Sequence, residues 1–175
     1  HRPALLQKFS NKGQSFYIAA NHFKSKGRPC KSEKEDSLQG HCNKERIKAA
    51  KALVSFIHRH TNDSDPVLIL GDLNSYSQED PLSVFAKAGY KNLNEVGTLY
   101  SGKEQFYSYS YQGYLGNLDH GLANSAMIPF VRSIDSWHIN SVEDSLLDYQ
   151  TESNGQDYPT IDHYADPNAY RSSDH

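Results

Sequence analysis

The segment VLILGDLNSY, residues 67–76, constrains the fold of this chain more than any other stretch. Four consecutive apolar residues are typical of a short strand that is covered on both faces. The strand runs directly into Gly71, Asp72 and Asn74. Because side chains two positions apart project to the same side of a continuing strand, we expect a core strand that aims Asp72 and Asn74 at one target.

Two helices and four further strands are predicted around this segment. Apolar residues recur at helical spacing over 43–60, where Asn43 is the expected N-cap, and a second helix is predicted over 77–90. β-Rich or alternating runs predict strands over 15–23, 105–113, 117–124 and 131–139. Strands mixed with helices indicate the α/β class, as an α+β sandwich of packed layers.

Length and charge restrict the kind of partner. The 175 residues fit one domain, and the longest apolar run is far short of the about 20 residues that a membrane span needs, so no membrane partner is expected. Residues 1–60 hold thirteen Lys and Arg against four Asp and Glu, whereas residues 61–175 hold five against seventeen. A basic part suits phosphates and an acidic part suits a divalent cation. Two solvated faces of opposite sign are the simpler alternative.

The two cysteines, Cys30 and Cys42, lie in a polar segment rich in Lys, Ser, Gly and Asn. A metal pair is usually closer together and has partners of similar type. The spacing favours a disulfide that closes a polar loop, which indicates an oxidising compartment. Two free thiols are the alternative.

Polar residues that a core would not select occupy four predicted strand ends or termini. Taken singly, such residues are more often turn residues, helix caps or surface groups than catalysts. Their combination is less common. The four places are Asn21-His22, Asp72 with Asn74, Asp119-His120, and Asp174-His175.

The motifs NH, GDLN, LDH and SDH, in this order, resemble the endonuclease/exonuclease/phosphatase superfamily, which includes deoxyribonuclease I. Longer blocks are similar to bacterial extracellular nucleases of that superfamily, over about residues 15–175. These blocks include NHFKSKG, the two-cysteine loop that runs into NKER, and YSYSYQGYLGNLDHGLANS. The resemblance implies a four-layer α/β/β/α, deoxyribonuclease I-like fold.

The superfamily also has an earlier half that contributes an Asn and a metal-binding Glu, and neither motif occurs in this chain. We therefore expect residues 1–175 to be the C-terminal portion of one such domain, without its N-terminal half. A fragment that lacks a principal metal ligand is expected to be inactive or nearly inactive by itself.

The resemblance assigns catalytic roles to acidic residues and a histidine. His175 would be the general base that accepts a proton from water, and Asp119 would orient its ring. Asp174 would be a metal ligand. Asp72 would position the nucleophile or bind a second ion.

Further residues would contact the substrate. Asn74 would hydrogen-bond the phosphate, and Asn21 and His22 would contact phosphate oxygens or assist the leaving group. Basic side chains would bind the nucleic-acid backbone with little sequence information, although an ordinary wet loop and helix face is an even alternative. These side chains are Lys24, Lys26, Arg28, Lys44 and Arg46.

The implied function is metal-dependent phosphodiester hydrolysis by a secreted bacterial nuclease with little sequence preference, acting on DNA, with RNA as an alternative substrate. The implied cofactor is Mg²⁺ or Mn²⁺. Glu143, Asp144 and Asp148 offer ligands for a structural Ca²⁺, with a solvated loop as the alternative. Tyr107, Tyr111 and Tyr114 suit base stacking or, more commonly, packing. Structural hydrogen bonding is expected of His120 and His138.

Two other functions are compatible with the same motifs. A phosphatase or sphingomyelinase-like phosphodiesterase of this fold would need a basic inositol pocket or a membrane-binding apolar hairpin, and the sequence predicts no exposed hairpin of that kind. A catalytically silent binding module would be expected to lose motif residues, whereas the motifs of the second half are present.

Overall fold

The computed structural model describes residues 2–31, 33–96, 107–138, 141–142 and 175, and it places 152–153 and 156–157 in strands. The chain divides into two compact units. The first unit comprises residues 1–106 and 117–135, and the second comprises residues 107–116 and 136–175. Among the described residues, no helix has the length and apolar character needed to span a membrane.

Two α-helices, two 3₁₀ helices of three residues each and nine strands are found in the described residues. The α-helices are α1 (Asn43–His58) and α2 (Asp80–Lys87). The strands of the first unit are β1 (Leu5–Asn11), β2 (Gln14–His22), β3 (Val67–Asp72), β4 (Lys91–Asn92) and β7 (Asp119–Ala123). Those of the second unit are β5 (Tyr109–Tyr111), β6 (Tyr114–Gly116), β8 (Glu152–Ser153) and β9 (Gln156–Asp157).

The first unit is built on one mixed sheet with the strand order β1-β2-β3-β7-β4. β2 and β3 are parallel and are joined through α1, as parallel neighbours require a crossover connection. β7 lies antiparallel to β3 and to the two-residue strand β4. Helices and strands alternate in this unit, so the predicted α/β class is confirmed.

Both helices pack on one face of this sheet. The 3.6-residue period of α1 puts Ala50, Leu53 and Ile57 on its buried side. They join Ala19 of β2 and Ile69 of β3 in a single apolar cluster, which also receives α2. The helical spacing of apolar residues had predicted an apolar side for α1, and burial of these side chains is the main driving force of the packing.

The other face of the sheet is less covered by the described residues. Leu68 packs in a second cluster with Leu93 and Met127, but Leu70 remains 39% exposed. On β1, Leu5 is 64% exposed. The expectation that the VLIL strand is covered on both faces is therefore met in full on the helix side only.

The sequence analysis missed the edge strand β1. It forms a hairpin with β2 through a two-residue turn in which Lys12 and Gly13 have positive φ angles of 49° and 81°. Two positive φ angles at these positions are typical of the hairpin turns whose twist matches the strands. The NKG tripeptide at 11–13 was the available sequence signal.

Several predicted boundaries and one predicted strand need correction. α1 begins at Asn43 itself, and the N-cap position is Cys42, so the predicted Asn43 cap is wrong. The second helix is confirmed only over Asp80–Lys87. The predicted strand over 131–139 is wrong, because the described residues 131–138 are irregular except for a bridge at Ile134. Within the predicted strand over 105–113, the described residues 107–113 form a strand only at Tyr109–Tyr111.

The second unit contains a short hairpin, β5–β6, in which Tyr111 pairs with Tyr114. Tyr114 is 80% exposed, and Leu115 and Tyr111 are also exposed. In the same unit, the ring of His138 stacks on Tyr107 with a centroid distance of 3.8 Å. The predicted packing role of the tyrosines thus fits Tyr107 better than the two exposed tyrosines of the hairpin.

Candidate active site

Strand register brings three of the predicted site residues together in the first unit. His22 is the register partner of Asp72 across β2 and β3, and Asp72 is the partner of Asp119 across β3 and β7. Directly paired residues project from the same face of a sheet. His22, Asp72 and Asp119 therefore line the end of three adjacent strands, and His22 Nε2 lies 3.4 Å from Asp72 Oδ2.

Asp72 is largely enclosed, with 12% of its side chain exposed. Its two oxygens accept hydrogen bonds from Asn74: the main-chain N–H reaches Oδ1 and the side-chain amide reaches Oδ2, each at 2.7 Å. Asn74 adopts the left-handed conformation with a φ of 47°. β3 ends at Asp72 and turns, so the prediction that both side chains extend in parallel from a continuing strand is wrong. Asn74 instead holds Asp72.

Asn21 lies on the opposite side of the sheet from His22, since neighbouring strand residues alternate. Its side-chain amide donates to the Leu70 carbonyl at 2.9 Å. Together with Phe23 and Leu53, it lines a largely apolar groove of about 330 Å³ beside α1. The structure thus does not bring Asn21 to the face that carries His22, Asp72 and Asp119.

Arg2 is a site residue that the sequence analysis missed. Its Nη1 lies 2.9 Å from His22 Nδ1. A guanidinium can only donate, so Nδ1 accepts, and the hydrogen of the neutral ring is on Nε2, which faces Asp72. The NKG turn could have revealed this contact, because extending its hairpin register places residues 2 and 3 opposite residues 22 and 23.

Arg46 occupies a different environment from the one predicted. Its side chain is fully buried, and its guanidinium donates to the main-chain carbonyls of His41 at 2.6 Å and Gln39 at 2.9 Å. Arg46 Nη2 is also 3.9 Å from Glu79 Oε2. The predicted phosphate contact of Arg46 is inconsistent with this position, because a substrate cannot reach a buried guanidinium.

Lys26 also makes its polar contacts within the protein. Its Nζ pairs with Glu79 and donates to the Gln39 carbonyl at 2.9 Å. Burial lowers the pKa of Lys26 and raises the pKa of Glu79, so for both groups desolvation outweighs the attraction of the partner charge. Lys26 and Glu79 connect the loop that follows β2 to the start of α2.

The remaining basic residues and the cysteines lie in the same loop or at the start of α1, and Cys42 is buried. Arg28 and Lys44 are exposed, and Lys24 is half-buried with its Nζ near the Ser25 hydroxyl. Cys30 and Cys42 form a disulfide, as predicted. Lys24, Arg28 and Lys44 are therefore the predicted phosphate contacts that retain an accessible position.

His120 is nearly fully buried, on the face of β7 that Asp119 does not share. Its Nε2 is 2.8 Å from the Ser75 carbonyl, and its Nδ1 is 3.3 Å from Asn92 Nδ2. Both contacts are structural hydrogen bonds of the kind that the sequence analysis expected for this histidine. The bond to Ser75 connects β7 to the turn that carries Asn74, and the contact with Asn92 connects β7 to β4.

The other predicted site residues belong to the second unit. The ring of His175 packs on Tyr109 with a centroid distance of 4.9 Å. Asp174, and the candidate Ca²⁺ ligands Glu143, Asp144 and Asp148, lie outside the described residues. The roles of His175 and Asp174 stay predictions.

The geometry of the first unit has a definite chemical capacity. Carboxylates are the hard oxygen ligands that Mg²⁺ prefers, and the strand register places the carboxylates of Asp72 and Asp119 at the same rim. A neutral His22 with hydrogen on Nε2 can donate to a carboxylate or to a phosphate oxygen. The cluster therefore combines anionic ligands and a neutral donor at one rim of the sheet.

No protein-family profile and no curated protein sequence matches this chain. Solved structures do match. A double mutant of Staphylococcus aureus beta toxin with bound magnesium ions has a TM-score of 0.53 and 18% identity, over 70% of this chain and 42% of that chain. A beta-hairpin deletion mutant of the same toxin has a TM-score of 0.53 and 19% identity, over 70% of this chain and 44% of that chain.

The catalytic domain of human Nocturnin with a bound sulfate anion has a TM-score of 0.50 and 17% identity, over 70% of this chain and 41% of that chain. The chain thus spans less than half the length of these matched structures. At such identities the likeness shows the fold alone, and that fold is the deoxyribonuclease I-like fold of endonucleases, exonucleases and phosphatases. The fold that the sequence motifs predicted is confirmed.

Proposed function

We propose that this chain, with its deoxyribonuclease I-like fold, is the C-terminal part of a secreted, divalent-metal-dependent nuclease. The substrate would be DNA, with RNA as an alternative, cut with little sequence preference. The observation that carries the proposal is the register of β2, β3 and β7, which groups His22, Asp72 and Asp119 at one rim. These residues come from three separate sequence motifs, so their grouping supports one shared site.

The side chains at this rim suit a divalent ion. Asp72 offers carboxylate oxygens that Asn74 holds in place, and Asp174 is the second proposed ligand. Bound Mg²⁺ or Mn²⁺ would supply charge neutralisation at the phosphate. The matched beta toxin contains magnesium ions and the matched Nocturnin domain contains sulfate, an analogue of phosphate. Both ligands agree with the proposal.

The residues of the chain would divide the work as follows. His175, oriented by Asp119, would accept the proton of the attacking water. His22 would donate its Nε2 hydrogen to a phosphate oxygen or to the leaving oxygen, with Arg2 holding the ring from the other side. Asn74 would keep Asp72 in position.

Binding of the nucleic-acid backbone would use exposed cations of the first unit. Lys24, Arg28 and Lys44 have accessible positions, and contacts of this type give affinity that falls with salt. The Cys30–Cys42 disulfide supports an oxidising, extracellular location. Asn21 and Arg46 are not included among the proposed substrate contacts, because Asn21 lies on the opposite face of the sheet from His22 and Arg46 is buried.

The test is cleavage of supercoiled plasmid DNA by the complete protein that contains these residues, because the matched structures extend beyond the region of this chain. We expect cleavage with Mg²⁺ or Mn²⁺ and its loss with chelator. His175→Ala is expected to lower the rate by about 10²- to 10⁴-fold, the usual contribution of a general base. His138→Ala is the matched control, a second histidine of the same unit that stacks on Tyr107.

Two results would reject the assignment. Cleavage that is unaffected by chelator would contradict the proposed need for a metal ion. Equal cleavage rates for His175→Ala and wild type would contradict the assignment of His175 as the general base. Intact DNA and RNA under all metal conditions would favour the silent binding module. Residues 1–175 alone are expected to cut weakly, so strong cleavage by this chain would contradict the need for an additional metal ligand.

One observation favours a second candidate, a sphingomyelinase-like phosphodiesterase. The β5–β6 hairpin exposes Tyr111, Tyr114 and Leu115, whereas the sequence had predicted no exposed apolar hairpin. Amphipathic tyrosines suit a membrane–water interface. Hydrolysis of sphingomyelin vesicles in preference to plasmid DNA, with loss of that activity in Tyr114→Ser, would select this candidate.

A further inference from the structure

His120 in β7 contacts two other segments through its ring nitrogens, namely the turn after β3 and the strand β4. The Ser75 carbonyl can only accept, so His120 Nε2 carries the hydrogen of that 2.8 Å bond. On the other side, Nδ1 is 3.3 Å from Asn92 Nδ2. Asn92 Oδ1 accepts from the main chain of Asn94 at 3.2 Å, which orients the Asn92 amide with its nitrogen toward the ring. A neutral ring with its hydrogen on Nε2 fits both contacts, and the Asn117 main chain also hydrogen-bonds the imidazole.

Burial supports the same protonation state. His120 is 3% exposed, and burial lowers the pKa of its ring. The 2.8 Å bond thus fixes a donor on Nε2 that is aimed at Ser75, and burial favours the neutral ring.

The turn that His120 reaches is the one that positions Asp72. Ser75 is fully buried, and the main-chain N–H of Leu73 donates to the Leu118 carbonyl at 2.9 Å. β7 and the residue before it therefore hold this turn at two points, residue 73 and residue 75. Between them lies Asn74, in the left-handed conformation; its main-chain N–H and side-chain amide donate to Asp72, and the amide also donates to the Phe23 carbonyl at 3.3 Å.

We propose that His120 is a positioning residue of the active site. By donating to the Ser75 carbonyl, it holds Asn74 in its left-handed conformation and so holds the carboxylate of Asp72 in place. His120 does not touch the substrate. This role rests on the proposed function for its effect on catalysis, but the structural coupling from His120 to Asn74 does not.

The experiment measures hydrogen exchange of backbone amides in the complete protein that contains these residues. His120→Phe keeps an aromatic ring and removes the donor. We expect exchange of the Asn74 amide to rise about tenfold, the effect of losing one buried hydrogen bond, while exchange of the Ile69 amide in β3 rises less. His120→Gln, which keeps a donor at a similar distance, is expected to retain the protection of Asn74.

Leu122→Ala is the matched control, because Leu122 lies on the same face of β7, is buried, and packs in the core without a bond to the turn. It should raise exchange of Ile69 at least as much as that of Asn74. The proposal is overturned if His120→Phe leaves Asn74 protected, if Leu122→Ala raises the Asn74 to Ile69 ratio equally, or if His120→Gln behaves like His120→Phe.

Activity provides a separate measurement in the complete protein. His120→Phe is expected to lower kcat with little change in KM, because binding of the nucleic-acid backbone does not depend on the turn. An inactive wild-type protein would reject the proposed function, and the exchange ratios would still decide the coupling between His120 and Asn74. An active protein whose KM rises while kcat is constant would contradict the positioning role.

Discussion

The α-carbon of Gly71 lies directly against the main-chain carbonyl of Asn21, so that a Cβ at position 71 would overlap this oxygen. Gly71 also has a φ of 136°, which L side chains rarely adopt. We expect Gly71→Ala to lower the free energy of unfolding by at least about 2 kcal/mol, because relief of the clash must separate β2 from β3. Urea unfolding followed by circular dichroism measures this change.

Gly27→Ala is the control for that substitution. A Cβ at Gly27 meets no heavy atom within 4 Å, and its φ lies outside the left-handed range. This variant should therefore unfold at nearly the wild-type urea concentration. Equal stability of the Gly71 and Gly27 variants would contradict the close approach of the two strands beside the site.

The buried position of Arg46 predicts a loss of stability rather than a loss of substrate affinity. Arg46→Met removes the donors to the His41 and Gln39 carbonyls and one cation beside Glu79. We expect a decrease of about 3 kcal/mol in the free energy of unfolding. Lys44→Met, at an exposed position of the same helix, should change stability by less than about 0.5 kcal/mol. A stable Arg46→Met with weakened DNA binding would restore the phosphate role.

The Cys30–Cys42 disulfide predicts sensitivity to reductant. The bond joins residues twelve positions apart, and closing a loop of this size is worth about 3 kcal/mol in the chain-entropy account. Dithiothreitol should lower the urea midpoint of the wild-type chain. It should have no effect on the double variant Cys30→Ala, Cys42→Ala, which serves as the control. An unchanged wild-type midpoint would mean that the bond contributes no stability.

His120 predicts a loss of stability in mild acid. Burial lowers the pKa of its ring below the ordinary value of 6.5, although the Ser75 carbonyl and Asp119 act in the opposite direction. Just below pH 6.5 the unfolded chain therefore binds more protons than the folded chain, and the free energy of unfolding falls as the pH decreases. Urea midpoints at about pH 7.5 and about pH 5.5 measure this effect.

The comparison variant for the pH experiment is His120→Gln, which cannot titrate in this range. The wild-type chain should lose more stability between the two pH values than His120→Gln does, and the difference isolates His120 from the other histidines. Equal losses in the two proteins would show that His120 makes no contribution to the acid sensitivity.

Local patterns were sufficient for the central elements. The strands at Gln14–His22, Val67–Asp72 and Asp119–Ala123 and the helix α1 were predicted to within about two residues at each end. Their apolar runs and periodicity are properties of neighbouring residues, and burial rewards those patterns in any arrangement. The disulfide was also predictable, since two cysteines in one polar loop have few alternatives.

Long-range packing determined the features that the sequence analysis missed. Arginine is a residue type that is usually exposed, and the burial of Arg46 depends on how the disulfide loop folds around the start of α1. The turn after β3 depends on bonds from Leu118 and His120, which are distant in sequence. The contact of Arg2 with His22 depends on the register of a hairpin.

The amino-acid sequence alone shows which residue types are available for chemistry. The motifs GDLN, NH and LDH each follow or lie within an apolar segment, and such segments are recognised from neighbouring residues. Where those side chains point is a property of the folded molecule. The pairing of β2, β3 and β7 puts His22, Asp72 and Asp119 on one face and Asn21 on the other. The grouping of side chains from three strands on one face requires contacts between strands that are far apart in the chain. No local sequence pattern encodes these contacts.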